Sequence, residues 1–86
     1  MRPKITNTSL AAFGQSMRAY RTASGLTQED LADLANLDRS YVGGVERGER
    51  NLTLLNLLTI AKALNAAPSQ LLAVFDNTYN KPKTKP

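Results

Sequence analysis

Apolar residues recur every three or four positions through most of the chain, which is the period of an amphipathic α-helix. In the first stretch with this pattern, residues 10–23, the apolar stripe is formed by Leu10, Phe13, Met17 and Tyr20. The preceding residues show no such period, so we expect a flexible arm over residues 1–9. The pattern therefore predicts that the folded part begins with a helix at about residue 10.

Two short helices with a tight joint are predicted next, between Thr27 and Gly48. The Thr27 hydroxyl can cap the first of them, Asp38 offers a cap for the second, and Gly48 favours the left-handed conformation that ends it. The core-facing positions of the two helices are Leu31, Leu34, Ala35, Val42 and Val45. Two helices joined by a turn of about three or four residues form a helix-turn-helix, the frame with which many proteins place a helix in the major groove of DNA.

The stretch after Thr53 predicts a fourth helix that is rich in leucine. Thr53 can cap it, and Asn65 can end it in the left-handed conformation. One broad face of this helix holds Leu54, Leu57, Leu58, Ala61 and Leu64. Leu55 and Ile60 lie off that face, and they either flank a wide core or mark a surface for a partner.

A last short helix is predicted to start at Pro68, since proline suits the first turn of a helix. Its apolar residues are Leu71, Leu72, Val74 and Phe75. The lysine- and proline-containing end has no apolar period, so we expect a disordered basic tail in residues 76–86. The predicted fold is all-α, with five helices in one domain over residues 10–75.

The composition limits the chemistry that this chain can perform. Its 86 residues, 42% of them hydrophobic, suffice for one small domain with one core. The sequence contains neither Cys nor His, which removes disulfides, the commonest general base and the commonest zinc ligand. We therefore expect no enzyme, no metal and no cofactor. No apolar run approaches the roughly 18 residues of a membrane span, and the polar N-terminus is not a signal peptide, so we expect a cytoplasmic protein without membrane contact.

The net charge of +4 is weaker evidence for nucleic-acid binding than its size indicates. Five of the basic residues lie near the two ends, at positions 2, 4, 81, 83 and 85. Residues 5–76 hold six basic and seven acidic residues, a net charge of −1. The electrostatic case for a phosphate partner therefore depends on Arg39, Arg47 and Arg50, which fall in or just after the second helix of the helix-turn-helix.

That second helix, about residues 39–47, carries the side chains best suited to reading DNA bases. Arginine can bond guanine bidentately and serine is a short donor and acceptor, so Arg39 and Ser40 in the first turn are the expected readers. Gly43 and Gly44 lie on the side opposite the valines, and we include both in the base-reading set. Adjacent glycines on an exposed face favour the close approach of a large partner, although a frayed surface helix is the alternative.

Further candidates for contact with the DNA backbone or the groove edge are Gln28, Tyr41, Arg47, Arg50 and Asn51. Gln28 can reach a phosphate from the start of its helix, or it is an ordinary solvated residue. Arg50 and Asn51 are contacts or part of a polar loop. Tyr41 either packs its ring against the joint with its hydroxyl on a phosphate, or is a partly buried core residue.

Two charged residues are expected to act inside the fold. Glu46 flanks the valine side of the second helix, and a partly buried carboxylate requires a partner. Arg21, at the end of the first helix, can supply it, so we predict a structural ion pair and not a catalytic acid. Gly14 lies within the first helix, where glycine is unfavourable, which predicts the close approach of a neighbouring helix.

Three runs of the sequence resemble the Xre or lambda-repressor-like helix-turn-helix family: RTASGLTQEDLA at 21–32, NLDRSY at 36–41 and ERGERNLT at 46–53. Within that family they look most like the controller proteins of restriction–modification systems. The resemblance covers residues 10–75. It implies a compact five-helix lambda-repressor-like domain that binds double-stranded DNA as a homodimer, with one recognition helix in the major groove of each half-site.

The resemblance also implies roles for individual positions. It places Arg39 and Ser40 at the bases and Arg21 with Glu46 in the family's internal ion pair. Dimer contacts in the controller branch lie around the last two helices, which implies an interface formed by Leu71, Leu72, Val74 and Phe75. Many relatives carry a bulky polar residue at Gly43 or Gly44, so fewer side chains would read bases here. Many also carry proline at the position of Leu52, although the controller branch shares the leucine.

Two classes of function remain open from the sequence. The first is a sequence-specific transcriptional regulator, such as a restriction–modification controller, that binds its operator as a homodimer. The second is a protein-interaction module such as an antitoxin or co-regulator, whose partner would bind the surplus leucines of the last two helices. These leucines fit a protein partner as well as they fit self-association.

Overall fold

The computed structural model describes residues 5–76, with side chains from residue 8 onward. The elements in chain order are α1 (Ile5–Ala23), α2 (Gln28–Ala35), α3 (Arg39–Glu46), α4 (Leu54–Ala63), α5 (Pro68–Leu72) and a 3₁₀ turn (Ala73–Phe75). All regular structure within residues 5–76 is helical, which confirms the predicted all-α, five-helix fold. Residues 1–4 and the expected basic tail from residue 77 onward lie outside the described residues.

Two of the three predicted N-caps, at Thr27 and Thr53, are formed by side-chain hydrogen bonds. The Thr27 hydroxyl accepts from the backbone N–H of Asp30 at 3.0 Å, and the Asp30 carboxylate accepts from the N–H of Thr27 at 2.9 Å. Thr53 caps α4 in the same way, through the N–H of Asn56. Asp38 has the backbone conformation of an N-cap, but its side chain makes no capping hydrogen bond. Gly48 takes the expected left-handed conformation, with φ of 77°.

The first helix begins earlier than its apolar stripe indicates. It starts at Ile5, so the prediction of a flexible arm over residues 1–9 is wrong for residues 5–9. The sequence there is Ile-Thr-Asn-Thr-Ser, which has no apolar period. Hydrophobic periodicity detects only turns that pack on the core. A packed helix can add exposed turns at its end because each further residue gains a backbone hydrogen bond without a new nucleation cost.

The core is formed where α1 packs against α3 and α5, α2 packs against α3 and α4, and α4 packs against α5. Its most deeply buried side chains are Met17, Leu31, Val42, Val45, Ile60 and Leu71. The sequence left two roles open for Ile60, the flank of a wide core or a partner surface, and its side chain is 0% exposed, so it belongs to the core. The buried positions of α4 are Leu57, Ile60 and Ala61, and Leu64 directly after the helix is buried as well.

Several leucines that periodicity assigned to the core are at the surface. Leu34 is 62% exposed and Leu54 is 69% exposed, and Leu58 is also exposed. Leu55, for which the sequence left both the core and a partner surface open, is 74% exposed. With so many leucines in α4, more than one stripe fits the helical period, and only the position of the neighbouring helices decides which stripe is buried.

Gly14 marks the closest approach of α1 and α3. A Cβ atom built on Gly14 would overlap the carbonyl oxygen of Glu46 and would lie 2.5 Å from that of Val45. Only glycine leaves room for the carboxyl-terminal end of α3 at this position. This backbone contact fixes where α3 lies against the rest of the fold.

Among residues 5–76, no single helix is long and apolar enough to cross a membrane. The helix α4 and the segment Pro68–Phe75 meet the length and composition test only when taken together, and they are bent by 110° at the break between them.

Candidate nucleic-acid interface

A buried ion pair holds the end of α3 against α1. Arg21 donates from Nε to Oε2 of Glu46 at 2.6 Å and from Nη2 to Oε1 at 2.9 Å, which is the bidentate geometry of a strong arginine–carboxylate pair. Its remaining terminal nitrogen, Nη1, donates to the backbone carbonyl of Leu26 at 2.8 Å. The hydrogen-bonded carboxylate raises the pKa of Arg21, so this guanidinium stays charged.

Gln28 joins that pair from the start of α2. Its Nε2 donates to Oε1 of Glu46 at 3.0 Å, so one carboxylate receives donors from α1 and α2 while lying on α3. The sequence left two interpretations of Gln28, a phosphate contact or a solvated residue. In the structure Gln28 is half-buried, and its first role is to fix α3 against α2. This rigid joint determines the direction in which the outer face of α3 points.

The first turn of α3 presents two exposed polar side chains. Arg39 and Ser40 both lie at the surface, and neither is paired with another side chain in the described part of the chain. Asp38 does not cap this helix with its carboxylate. An unpaired arginine and a serine hydroxyl at the amino-terminal end of an exposed helix can bond base edges or phosphate oxygens.

Gly43 and Gly44 are buried, so the expectation that they are exposed is wrong. A Cβ atom on Gly43 would lie 3.1 Å from Nη1 of Arg47 and 3.4 Å from Oε1 of Gln28. A Cβ atom on Gly44 would lie 2.5 Å from Cγ of Arg50. Both glycines are therefore covered by longer side chains that reach across α3 from other positions, and these side chains form the surface that a partner meets.

Tyr41, Arg50 and Asn56 form one cluster beside the covered glycines. The guanidinium carbon of Arg50 lies 5.3 Å from the centroid of the Tyr41 ring, within the range of a cation–π contact. Asn56 in the first turn of α4 donates from Nδ2 to the Tyr41 hydroxyl at 3.1 Å. Tyr41 is half-buried and packs against the core, so it combines features of both interpretations that the sequence left open.

Asn56 belongs to this surface, although it was not among the predicted contact residues. It is the one polar residue among the leucines at 54, 55, 57 and 58, and such an interruption is a signal that was available. Together with the start of α3, the cluster lines a polar groove formed by Asn36, Leu37, Asp38, Ser40, Tyr41, Arg50 and Asn56. The groove runs between the start of α3 and the start of α4.

The remaining candidates lie at the surface near the end of α3. Arg47 pairs with Glu49 through Nε at 3.1 Å, and both side chains are about 60% exposed. Such an exposed pair is weak and can exchange its partner for a phosphate. Asn51 is exposed in the loop before α4. Arg39, Arg47 and Arg50 thus supply three exposed cations at or beside α3, where a polyanion would be bound.

The proposed dimer residues divide between the core and the surface. Leu71 is 0% exposed, so it is a core residue and the expectation that it contacts a second copy directly is wrong. Phe75 is partly buried and packs against the core. Leu72 and Val74 are exposed, as are Leu54, Leu55 and Leu58 on α4. Within residues 5–76, no group of three or more acidic residues is arranged to hold a metal ion.

The chain is similar in sequence and in fold to known proteins. A helix-turn-helix family profile matches residues 17–71. The chain is 48% identical to control protein C.SmaI of Serratia marcescens over 60 residues, which is 70% of this chain and 71% of that protein. It is also similar to the crystal structure of the restriction–modification controller protein C.AhdI from Aeromonas hydrophila, with a TM-score of 0.74, 58% identity, and coverage of 74% of this chain and 97% of the other.

A third similar structure contains DNA. It is the restriction–modification controller protein C.Esp1396I, crystallised as a tetramer in complex with its natural 35 base-pair operator. That chain superposes with a TM-score of 0.70 at 38% identity, over 76% of this chain and 86% of the other.

Proposed function

The chain belongs to the helix-turn-helix family, and from this premise we propose that it is a sequence-specific regulator of transcription that binds double-stranded DNA as a homodimer. In this proposal α3 is the recognition helix and lies in the major groove of one half-site. A second copy places its own α3 in the other half-site. The proposal depends mainly on Arg39 and Ser40, which are exposed at the start of α3 and have no side-chain partner among the described residues. The opposite face of this helix packs in the core.

The rest of the surface supports binding to a nucleic acid. The exposed cations of Arg39, Arg47 and Arg50 lie at or beside α3, although residues 5–76 as a whole carry a net charge of −1. Arg47 and Arg50 are suited to phosphates or to the edge of the groove, because their long side chains extend across the outer side of α3. Gln28 and Asn51 flank them. This local concentration of positive charge, rather than the overall charge, supports DNA as the partner.

The similarity to C.SmaI and C.AhdI supports a role in controlling a restriction–modification system. C.Esp1396I binds its operator as a tetramer, which supports an assembly of more than one copy for this chain. A regulator of this kind acts where the DNA lies, so we place the protein in the cytoplasm. Regulation by occupancy of an operator requires no enzymatic reaction, metal or cofactor.

The dimer surface that fits the structure is shifted from the one that the sequence implied. Leu54, Leu55 and Leu58 are exposed on α4, and Leu72 and Val74 are exposed on the adjoining carboxyl-terminal segment. The helices α4 and α5 contact each other, so these apolar side chains lie on neighbouring elements. Apolar side chains in such numbers on a small domain favour burial against another protein surface. A second copy of the chain is the occupant that fits a two-fold operator.

Selection of bound sequences from a randomised pool of DNA duplexes tests the proposal. We expect enrichment of a site with two-fold symmetry. Arg39→Ala should weaken binding to that site by about 1–3 kcal/mol for each half-site and relax the sequence at one position there, since it removes one arginine–base contact from each half-site. Lys62→Ala, which removes the same charge near the far end of α4, should leave the selected sequence unchanged.

Two results of this selection would contradict the proposal or a part of it. Absence of any enriched sequence, with only bulk binding that disappears as salt is raised, would contradict sequence-specific regulation. The alternative of a protein-interaction module would then be favoured by the exposed leucines of α4. An unchanged selected sequence in Arg39→Ala would keep the general function but would reject Arg39 as a base reader.

A further inference from the structure

Arg50 lies across α3 at Gly44 although it belongs to the loop after that helix. A Cβ atom on Gly44 would lie 2.5 Å from Cγ of Arg50, 3.5 Å from Cδ and 3.7 Å from Cβ. The aliphatic stem of Arg50 therefore occupies the space that any other residue at position 44 would fill. Gly44 is buried for this reason, although it lies on the outer side of the helix.

The charged end of the same side chain is held at a second point. The Arg50 guanidinium lies over the Tyr41 ring, 5.3 Å from its centroid. The ring is itself held in position, because its hydroxyl accepts a hydrogen bond from Asn56 and its body packs against the core. Arg50 is thus in contact with α3 along its stem and with an anchored aromatic ring at its head.

We propose that Gly44 is a positioning residue for DNA readout: its missing side chain seats Arg50 on α3, where Tyr41 orients the guanidinium toward a base edge. This inference rests on the proposed function. A guanidinium that lies over a ring keeps its N–H donors free at the edge, which is the geometry of bidentate guanine recognition. A side chain that already has this orientation loses less conformational entropy on binding than a free arginine.

The seat explains how a recognition helix with two consecutive glycines can read DNA. Gly43 and Gly44 contribute no side chain, and in the structure Arg50 covers the space at Gly44 while Arg47 and Gln28 lie over Gly43. A charged group therefore reaches the middle of α3 from the loop after the helix. The long side chain at position 50 and the absence of a side chain at position 44 therefore act together to place the guanidinium.

The variant Gly44→Ala distinguishes a role of Gly44 in DNA readout from a role in the stability of the fold. In Gly44→Ala the new Cβ would overlap the Arg50 stem, which is flexible and can move away, so the fold should be retained with Arg50 displaced. Gly43→Ala makes the same chemical change one residue earlier. Its Cβ would meet Arg47 and Gln28 but not Arg50, which makes it a matched comparison.

The experiment combines a double-mutant cycle with a spectroscopic readout. The ratio of affinities for the selected operator and for a scrambled duplex is measured for wild type, Gly44→Ala, Arg50→Ala and the double variant, and the cycle is repeated with Gly43→Ala. We expect Gly44→Ala to lower the ratio by at least about fivefold, as for the loss of an arginine–base contact. This loss should vanish in the Arg50→Ala background, whereas any effect of Gly43→Ala should persist there.

Nuclear magnetic resonance of the free protein reports the position of Arg50 without DNA. The side-chain protons of Arg50 should show ring-current shifts from Tyr41 in the wild type, and these shifts should be lost in Gly44→Ala. An unchanged affinity ratio in Gly44→Ala, an equal loss with and without Arg50, or unchanged Arg50 shifts would each overturn the inference.

Failure of the inference can be distinguished from failure of the proposed function. If the wild type discriminates between operator and scrambled duplex while Gly44→Ala behaves like it, only the seat is rejected. If the wild type shows no discrimination, the proposed function and the readout role of Gly44 are rejected together.

Discussion

Arg21 of α1 and Glu46 at the end of α3 form a buried, bidentate ion pair, with an Nε–Oε2 distance of 2.6 Å and an Nη2–Oε1 distance of 2.9 Å. Gln28 of α2 donates to the same carboxylate. One acidic group therefore links the three helices that form and support the helix-turn-helix. The orientation of the DNA-facing side of α3 depends on this group, although it lies on the opposite side of the helix.

Replacing Glu46 by alanine should destabilise the fold strongly. The change leaves the Arg21 guanidinium buried without its carboxylate, and breaking a buried pair in this way costs about 3–5 kcal/mol. Urea denaturation followed by circular dichroism measures the free energy of unfolding. Glu49→Ala removes the partner of the exposed Arg47 pair and should cost no more than about 1 kcal/mol. Equal losses of unfolding free energy in the two variants would show that the buried pair stabilises the fold no more than the exposed pair does.

Asp30 should contribute stability that disappears in acid. The backbone N–H of Thr27, and then a hydrogen bond with its hydroxyl, lower the pKa of Asp30. A carboxylate with a lowered pKa in the folded state stabilises the fold above its unfolded pKa, about 3.9 for Asp, and loses this effect as the pH falls through the folded pKa. Relative to wild type, Asp30→Asn should therefore be less stable at neutral pH, and the difference should shrink below pH of about 4.

The test for Asp30 is urea denaturation of both proteins across that acid range. Asp33→Asn removes an exposed carboxylate from the same helix that takes no part in a cap, and it provides the comparison. A difference between wild type and Asp30→Asn that stays constant down to the lowest pH would contradict the assigned role of the ionised carboxylate.

Gly14→Ala should destabilise the protein despite the better helix propensity of alanine. The methyl group would overlap the backbone carbonyls of Val45 and Glu46, which cannot move without shifting α3. Overpacking of this kind costs about 1–3 kcal/mol, whereas propensity alone would favour alanine by about 1 kcal/mol. Thermal unfolding measures the sign. The neighbouring exposed Gln15→Ala should be almost neutral, and a stabilised Gly14→Ala would show that α1 and α3 are not held at this distance.

Leu55→Glu should weaken self-association without unfolding the domain. Leu55 is 74% exposed in the single chain, so a charge there is tolerated by the fold but not by an apolar interface. We expect the dissociation constant of the dimer, measured by sedimentation equilibrium, to rise about tenfold or more, since a central interface residue contributes more than about 1.4 kcal/mol. Urea denaturation of the monomer should be nearly unchanged.

Leu71→Ala should give the reverse pattern. Leu71 is 0% exposed, so its truncation should lower the free energy of unfolding by about 2–5 kcal/mol and affect association only through that loss. An unchanged dimer in Leu55→Glu would place the interface away from the exposed side of α4.

The helices could be predicted because their limits depend on neighbours in the sequence. Thr27 and Thr53 cap helices through N–H groups three residues later, and Asn36, Asn65 and Gly48 end helices in the left-handed conformation. These interactions span only a few residues, so the residue types reveal them. The pair of Arg21 and Glu46 was also predictable, because a carboxylate beside a buried helix face requires a cation and few arginines were in reach.

The burial of the leucines could not be predicted in the same way. Leu34 and Leu54 fit an apolar stripe and yet are exposed, while Ile60 lies off the expected stripe and is fully buried. Helical periodicity identifies candidate faces, but the crossing angles of the neighbouring helices choose among them. Leu71, which was expected at the dimer surface, therefore lies in the core, and Leu55 lies at the surface.

The sequence by itself determined the five helices, the caps at Thr27 and Thr53 and the short joint that makes a helix-turn-helix, because each depends on contacts within a few residues. It also indicated that Arg39 and Ser40 occupy the first turn of the recognition helix. Only the tertiary structure decided which side chains cover that helix. Arg50 reaches Gly44 from a loop, and Gln28 reaches Glu46 from another helix. Tertiary packing makes these contacts, and no local sequence pattern predicts which residues it brings together.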